Sequence, residues 1–301
     1  MAIIGGQLAT RRGGSSRQVS THVERLRGWP HRKSTIILFV HGYANGKKAA
    51  TKSFDRMTIA LADPINQFRL RDVFYFHWPG NLLLPVLSQL SYPIQLRHAN
   101  ESGVLLAQYL RKLSNQYSLR SVSFVAHSLG CRVVLRAVSE LRETAPKLAI
   151  NQIVLMAAAV PEGECNRGRE FEVIGRPSDS RTRYSTVLYS RHDAILRRAF
   201  VVGQAFRTDR IPRPLAVTAV GRFGGPLGDR RWASRGDMGM KNSGRGPDGR
   251  GPYGHSDYWG GFASARRVKT ALFATSDART LPSRELAFAA EPEQRELQAR
   301  P

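Results

Sequence analysis

The sequence predicts an α/β protein, a three-layer α/β/α sandwich around a mostly parallel sheet of about six strands. The first observation is that short apolar runs alternate along the chain with segments of helical period. The second is that these runs are continuously apolar, as in strands covered on both faces, and the run at 35–40 (TIILFV) is the clearest example. The third is size, because 301 residues with 42% hydrophobic content can bury a full core.

The predicted elements follow one another in a regular order. Six strands are predicted, at 35–40, 73–78, 122–126, 152–159, 186–189 and 215–220. Helices are predicted between and after them, at 48–62, 102–116, 131–141 and 194–202, with a terminal helix through 268–272. The apolar stretch 82–96 is interrupted by Pro85 and Pro93 and is not predicted to be a single helix. These elements place one domain over 34–275.

Three segments depart from this pattern. Residues 1–33 are rich in Arg, Gly and Ser with little periodicity, so we expect a mostly disordered basic arm. Residues 221–254 hold 11 of the 27 glycines in the chain and several arginines, and such a segment predicts a mobile loop because ordering glycine is entropically costly. Residues 276–301 form a polar tail.

Charge and cysteine content indicate possible binding partners and the cellular compartment. The formal net charge is +23, which permits non-specific binding of nucleic acid, anionic lipid or acidic polymers through the arm and the loop. Two cysteines are too few for a disulfide framework and fit a reducing compartment. No secretory signal is apparent at the N-terminus, and no run approaches the ~20 apolar residues of a membrane span. The sequence therefore predicts a soluble, cytoplasmic protein without a transmembrane segment, and it leaves the oligomeric state open.

The junction between one predicted strand and the helix after it indicates a catalytic function. The strand predicted at 122–126 is followed almost immediately by the helix that begins at Cys131, and Ser128 lies between them. Such a sharp turn needs small residues around the serine and raises its hydroxyl above the sheet edge. Gly130 is the small residue two positions after Ser128, and Ala126 is the one two positions before it. This geometry is that of a nucleophile elbow.

The motif Ala126-His127-Ser128-Leu129-Gly130, together with His41-Gly42 after the first strand, resembles the α/β-hydrolase fold. More narrowly, it is similar to an uncharacterised bacterial esterase/lipase-like branch, over roughly residues 34–275. The resemblance implies that the loop after the first strand supplies half of an oxyanion hole, with the backbone N–H groups of Tyr43 and Leu129 as donors. Gly42 fits that role because a Cβ would obstruct the approach of the loop backbone.

A serine nucleophile needs a base, which a carboxylate orients, and the family's chain order is Ser, then Asp or Glu, then His. Only His192 and His255 follow Ser128. His192 directly precedes the best acid on the same turn, so His255 is the predicted base. That acid is Asp193, at the end of a strand, where it also suits the N-cap of the next helix. Glu162, at the end of the preceding strand, is the alternative acid.

The resemblance thus implies a serine hydrolase that cleaves small or lipid-like carboxylic esters through a Ser-His-Asp triad and an acyl-enzyme, with no metal and no cofactor. Thioesterase, amidase and acyltransferase activities use the same triad and stay open as alternatives. An alternative of another class is a basic interaction protein on a hydrolase scaffold, which binds nucleic acid or anionic membrane. Salt-dependent binding that survives loss of Ser128 would distinguish it.

Overall fold

The centre of the molecule is an eight-stranded sheet. The structure is a computed structural model that describes residues 6–12, 19–25, 34–43, 45–61, 73–80, 92–145, 147–166, 169–172, 182–205, 218–225, 233–238 and 252–273. The strands are β1 (Gly6–Arg12), β2 (Val19–Arg25), β3 (Thr35–Val40), β4 (Val73–His77), β5 (Ser121–His127), β6 (Ala149–Met156), β7 (Thr182–Tyr189) and β8 (Ala233–Asp237).

The strand order is β2-β1-β4-β3-β5-β6-β7-β8, and every neighbouring pair is parallel except β1 with β2. From β3 the chain moves first to β4 on one side and then returns to β5 on the other side. In an open parallel sheet this reversal leaves a crevice at the carboxyl ends of the two strands, which is where such folds bind ligands. The crevice between β3 and β5 positions the candidate site.

The helices are α1 (Lys47–Leu61), α2 (Tyr92–Gln116), α3 (Gly130–Thr144), α4 (Ala194–Arg197), α5 (Ala199–Ala205), α6 (Val220–Phe223) and α7 (Phe262–Phe273). Helix α2 packs on α3, and α1 packs on α7. Every residue of β4 and β5 is buried, because both faces of the sheet are covered. The predicted α/β/α sandwich with a mostly parallel sheet is confirmed.

Two strands at one end of the sheet, of which β2 is the edge strand, lie where a disordered arm was expected. β1 pairs with β4 and β2 pairs with β1, so the expectation of disorder over 1–33 is wrong for Gly6–Arg12 and Val19–Arg25. Strands at the margin of a sheet are held largely by backbone hydrogen bonds and do not need a continuous apolar run, so the polar composition of β1 and β2 concealed them. The available signal was the β-branched alternation of Val19, Thr21 and Val23. The rest of the arm lies outside the described residues.

The carboxyl-terminal part of the sheet also differs from expectation. The strand expected at 215–220 is wrong at its end, because Ala219 forms a single bridge with Pro161 and helix α6 begins at Val220. The last strand is β8, inside the segment 221–254 that was expected to be a mobile loop. Most of that segment, like the tail 276–301, falls outside the described ranges.

Helix α2 is longer than the sequence indicated. It begins at Tyr92 and includes Pro93, which was interpreted as an interruption. Proline is tolerated in the first turn of a helix, because the backbone N–H that it lacks has no partner there. In the part of the chain that the structure describes, no helix is long and apolar enough to cross a membrane. The cytoplasmic location and an anionic partner stay predictions.

Candidate active site

Ser128 occupies the joint between β5 and α3. Its φ is +54°, in the left-handed region that residues other than glycine rarely adopt, so the turn stores backbone strain at this serine. Its N–H donates to Met156 O at 2.9 Å, which holds the turn against the end of β6. A Cβ at Gly130 would lie 2.2 Å from His41 O. Only glycine therefore lets α3 begin so close to the loop after β3.

The structure brings Ser128, His255 and Asp193 into one line of contacts. His255 Nε2 is 2.8 Å from Ser128 Oγ, and His255 Nδ1 is 2.7 Å from Asp193 Oδ2. An ionised carboxylate can only accept, so Nδ1–H donates to Asp193 and the unprotonated Nε2 accepts from the serine hydroxyl. This is the tautomer in which an imidazole can take the proton of the serine.

Asp193 makes a second contact at the same time. Its Oδ1 accepts from Leu196 N at 2.9 Å as the N-cap of α4, and the side chain is fully buried. The N-cap bond and the neighbouring helix start fix the carboxylate, so that its other oxygen faces His255. Glu162 begins the 3-10 helix Glu162–Glu164 after β6, and His192 is exposed. The structure thus pairs His255 with Asp193 rather than with Glu162.

Two hydrogen bonds hold the loop that carries His255 close to the His255 ring. Ser190 Oγ, at the end of β7, donates to Tyr253 O at 2.7 Å. Gly254 N donates to Asp257 Oδ2 at 2.7 Å, which closes the turn on the other side of His255. Acid and base are 62 positions apart in the chain, and these contacts at the carboxyl edge of the sheet hold the loop beside Asp193.

His127 is a site residue that the sequence analysis did not select. It is the last residue of β5 and directly precedes Ser128, and its Nε2–H donates to the backbone O of His255 at 2.6 Å. Burial, together with the nearby His255 ring, lowers the pKa of His127 to about 3, so the ring is neutral at physiological pH. The available signal was a polar residue at the end of an otherwise apolar strand.

His41 braces the loop after β3. Trp78 N donates to His41 Nε2 at 3.1 Å, so His41 Nδ1–H is the donor to Gly42 O at 2.8 Å. Trp78 Nε1 donates to His41 O at 2.7 Å, and the two rings stack. Burial lowers the pKa of His41 to about 4, which keeps this bracing ring neutral.

The loop backbone reaches the nucleophile at Gly42. A Cβ at position 42 would lie 2.7 Å from Ser128 Cβ and 2.9 Å from His127 Nδ1, so glycine is required for this approach. Tyr43 follows in the loop and is half-buried. Across the crevice, Leu129 is fully buried, and among the described residues its N–H has no hydrogen-bond acceptor. A buried backbone donor without a partner, next to the serine, is suited to an oxygen that the substrate brings.

Metal ligands do not gather in the part of the chain that the structure describes, where no three His, Cys, Asp or Glu residues could hold an ion together. Cys131 and Cys165 are buried free thiols, and burial raises the pKa of both. Their thiols donate to backbone oxygens instead, Cys131 Sγ to Met156 O at 3.7 Å and Cys165 Sγ to Pro161 O at 3.8 Å. The described groups that meet at the crevice are a hydroxyl, an imidazole, a carboxylate and backbone N–H donors.

A family model described as an alpha/beta hydrolase of unknown function (DUF900) matches residues 17–213, which is more than half of the chain. The chain belongs to this α/β-hydrolase family. The resemblance predicted from the elbow motif is therefore confirmed at the level of the family. As a member of this family, the protein is a hydrolase. No curated protein matches the sequence.

Three solved structures are similar to this hydrolase at low sequence identity. The product of the gene lin2722 of Listeria innocua is 8% identical with a TM-score of 0.46, covering 81% of this chain and 95% of its own. Lipase B of Aspergillus fumigatus is 16% identical with a TM-score of 0.39, covering 75% of this chain and 49% of its own. An acetylxylan esterase is 13% identical with a TM-score of 0.35, covering 79% of this chain and 98% of its own.

Proposed function

We propose that this protein is a serine hydrolase that cleaves carboxylic esters through an acyl-enzyme on Ser128. The observation that carries the proposal is the continuous line of contacts from Ser128 Oγ through His255 to Asp193. A serine hydroxyl is a poor nucleophile at neutral pH unless a base removes its proton during attack. His255 is within hydrogen-bond distance of that proton and is held in the required tautomer.

The proposed steps use these contacts in turn. Ser128 Oγ attacks the ester carbonyl carbon while its proton moves to His255 Nε2, and Asp193 stabilises the imidazolium that forms. The carbonyl oxygen becomes an oxyanion, for which the N–H groups of Leu129 and Tyr43 are the proposed donors. Collapse of this intermediate breaks the ester C–O bond, and His255 returns the proton to the leaving alcohol. Water then repeats the sequence on the acyl-enzyme and releases the acid.

The other buried histidines near the serine have different roles. The low pKa values of His41 and His127 leave both rings neutral at pH 7, with each ring occupied by a backbone contact. They are positioning residues in this proposal, and His255 is the residue that exchanges protons with the substrate.

A fluorophosphonate probe tests for the activated serine. Labelling of the wild-type protein followed by mass mapping is expected to modify Ser128 and no other residue. Ser128→Ala and His255→Ala are expected to abolish labelling, because one removes the nucleophile and the other removes its base. The matched control is Ser139→Ala on α3, where the serine donates to Glu170 O away from the crevice, and its labelling should equal wild type. Folded protein that stays unlabelled would overturn the proposal.

The type of bond that is cleaved needs a second comparison, because esters, thioesters and amides of one acid all pass through the same acyl-enzyme. p-Nitrophenyl butyrate, butyryl thiocholine and butyryl p-nitroanilide offer one acyl group with three leaving groups. We expect the oxygen ester to give the highest kcat/KM. A thioester that exceeds it after correction for the intrinsic reactivity of the two leaving groups would reassign the protein as a thioesterase.

A further inference from the structure

Two arginines contact one phenyl ring at the carboxyl edge of the sheet. The guanidinium carbon of Arg222, in α6, lies 4.8 Å from the centre of the Phe223 ring. The guanidinium carbon of Arg191, directly after the end of β7, lies 5.7 Å from the same centre. Stacking on an aromatic face restricts a guanidinium while its N–H donors stay available. We name Arg191, Arg222 and Phe223 the arginine cluster.

Backbone contacts connect this cluster with the candidate active site. Gly221 N, beside Arg222, donates to Ala158 O at 2.9 Å, and Ala159 N donates to the backbone O of Ser128 at 3.1 Å. Gly221 O accepts from Ser190 N at 3.1 Å, so α6 lies over the ends of β6 and β7. A Cβ at Gly221 would lie 2.1 Å from Ala158 N, which shows how closely α6 approaches the strand end.

On the other side, Arg191 is two residues from Asp193. The cluster therefore adjoins both the turn that carries the nucleophile and the turn that carries the acid.

The charges of the cluster are not neutralised within the described chain. Among the described residues, no carboxylate lies within ion-pair distance of Arg191 or Arg222, and the buried Arg222 Nε has no hydrogen-bond acceptor. Three arginines of α2 and α3 differ, since they pair with glutamates in Arg97–Glu101, Arg132–Glu164 and Arg136–Glu140. A buried guanidinium nitrogen without an acceptor is costly, and an anion that binds there removes that cost.

We propose that the arginine cluster is a binding subsite for an anionic group of the substrate, so that the preferred esters carry a carboxylate or a phosphate. The proposal rests on the ester hydrolysis proposed above and names its substrate class. A guanidinium presents paired N–H donors that match the two oxygens of either anion. Arg222 and Arg191 bind the anion, and Phe223 holds both guanidiniums in place.

Matched esters test this specificity. Mono-p-nitrophenyl glutarate carries a carboxylate on its acyl group, and p-nitrophenyl pentanoate has the same chain length without a charge. A third ester, the butyrate ester of 4-hydroxybenzoate, places the carboxylate on the leaving group, with phenyl butyrate as its neutral partner. In at least one of the two pairs, we expect kcat/KM for the anionic ester to exceed that for its neutral partner by about tenfold or more. Charge-assisted hydrogen bonds are strong enough to give a preference of this size.

The variants separate a subsite from general electrostatic attraction. Arg191→Gln with Arg222→Gln is expected to remove the preference for the anionic ester and to leave the neutral ester within about twofold of wild type. The control is Arg111→Gln with Arg120→Gln, which removes two exposed arginines from α2 and from the amino end of β5. This control should keep the preference. Equal losses with both double variants, or no preference in wild type, would overturn the subsite.

A binding measurement keeps this test independent of catalysis. Glutarate titrated into Ser128→Ala by calorimetry is expected to bind, and the arginine double variant in the same background is expected to lose that binding. Binding without hydrolysis of any ester would support the subsite and contradict the proposed function. Ester hydrolysis with neither glutarate binding nor an anionic preference would support the proposed function and contradict the subsite.

Discussion

At the scale of single residues, Asp193 uses one carboxylate for two purposes. One oxygen caps α4 through Leu196 N, and the other orients His255. Both contacts can form together because an ionised carboxylate accepts on each oxygen. Placing an acid at an N-cap also fixes its direction, since the capping bond restricts the side chain to one rotamer.

The two roles of Asp193 can be separated by substitution. Asp193→Asn keeps a capping oxygen but loses the carboxylate, so we expect kcat to fall by about 10³-fold or more while the helix stays capped. Asp193→Ala should lose as much activity and, in addition, be less stable than the Asn variant by about 1 kcal/mol. Ester kinetics and urea unfolding of the two variants measure these effects. Equal stabilities of Asn and Ala would contradict the capping role, and an active Asn variant would contradict the orienting role.

At the scale of elements, His127 joins the end of β5 to the loop that precedes α7. Because it precedes Ser128 and holds the backbone of His255, this hydrogen bond links the nucleophile and the base across two elements that are far apart in the chain. The His127 ring also contacts those of Tyr258 and Trp259, which places it between the sheet and this loop.

Substitution of His127 tests this link. His127→Phe keeps a ring of similar size but removes the N–H donor, and we expect kcat to fall by about tenfold or more with little change in KM, since misplacement of the base affects the chemical step. His127→Gln retains an amide N–H donor of comparable reach and should recover part of that loss. Steady-state kinetics with a thermal unfolding control distinguish the two variants. If Phe and Gln lose the same activity, or if KM alone changes, His127 acts only through packing.

A second link between elements is formed by Arg132 in the first turn of α3. Arg132 is fully buried, donates to Glu164 at 2.6 Å and to Asn100 of α2 at 2.8 Å, and stacks on the Phe171 ring at 5.1 Å. A buried ion pair becomes expensive when one partner is removed, because the remaining charge is left uncompensated. The network therefore fixes α2, α3 and the segment after β6 relative to one another, and α3 begins at the nucleophile.

At the scale of the whole molecule, three buried histidines couple stability to pH. Burial lowers the pKa of His41 to about 4 and that of His77 and His127 to about 3, below the ordinary value of 6.5. Below pH 6.5 the unfolded chain binds protons that the folded protein does not, so the free energy of unfolding decreases as the pH falls. The stabilisation is complete above about pH 6.5 and is progressively lost as the pH falls from 6.5 to about 4 for His41 and to about 3 for His77 and His127, with a slope of up to one proton per histidine.

His77 offers the clearest test of this coupling. Neither of its buried ring nitrogens has a hydrogen-bond partner within the described chain, and the nearby His41 and Lys47 lower its pKa further. His77→Phe is expected to reduce the pH slope of the unfolding free energy by about one proton between pH 6.5 and 4, measured by urea unfolding at pH 5, 6 and 8. The exposed His192→Gln is the control and should leave the slope unchanged. A stability change in His77→Phe that is equal at all three pH values would contradict this account.

The core of the fold could be predicted from the sequence because its signals are local. Continuous apolar runs such as Thr35–Val40 mark strands that are buried on both faces, and the short strand–serine–helix joint around Ser128 is visible without any long-range information. The candidate residues Ser128, Asp193 and His255 followed from the family's chain order and from the small number of histidines. The strands and the joint around Ser128 depend on residues close together in the chain.

The tertiary structure decided what depends on contacts between distant segments. β1 and β2 form because neighbouring strands supply their backbone hydrogen bonds. No local apolar run in the sequence indicates this pairing. The pairing of His255 with Asp193 rather than Glu162, and the bond from His127 to the His255 backbone, arise where strand ends meet at one edge of the sheet. The arginine cluster likewise joins residues 191 and 222–223. By itself the sequence determined the sheet core and the candidate nucleophile, because short-range pattern specifies them, and only the fold determined which distant groups face them.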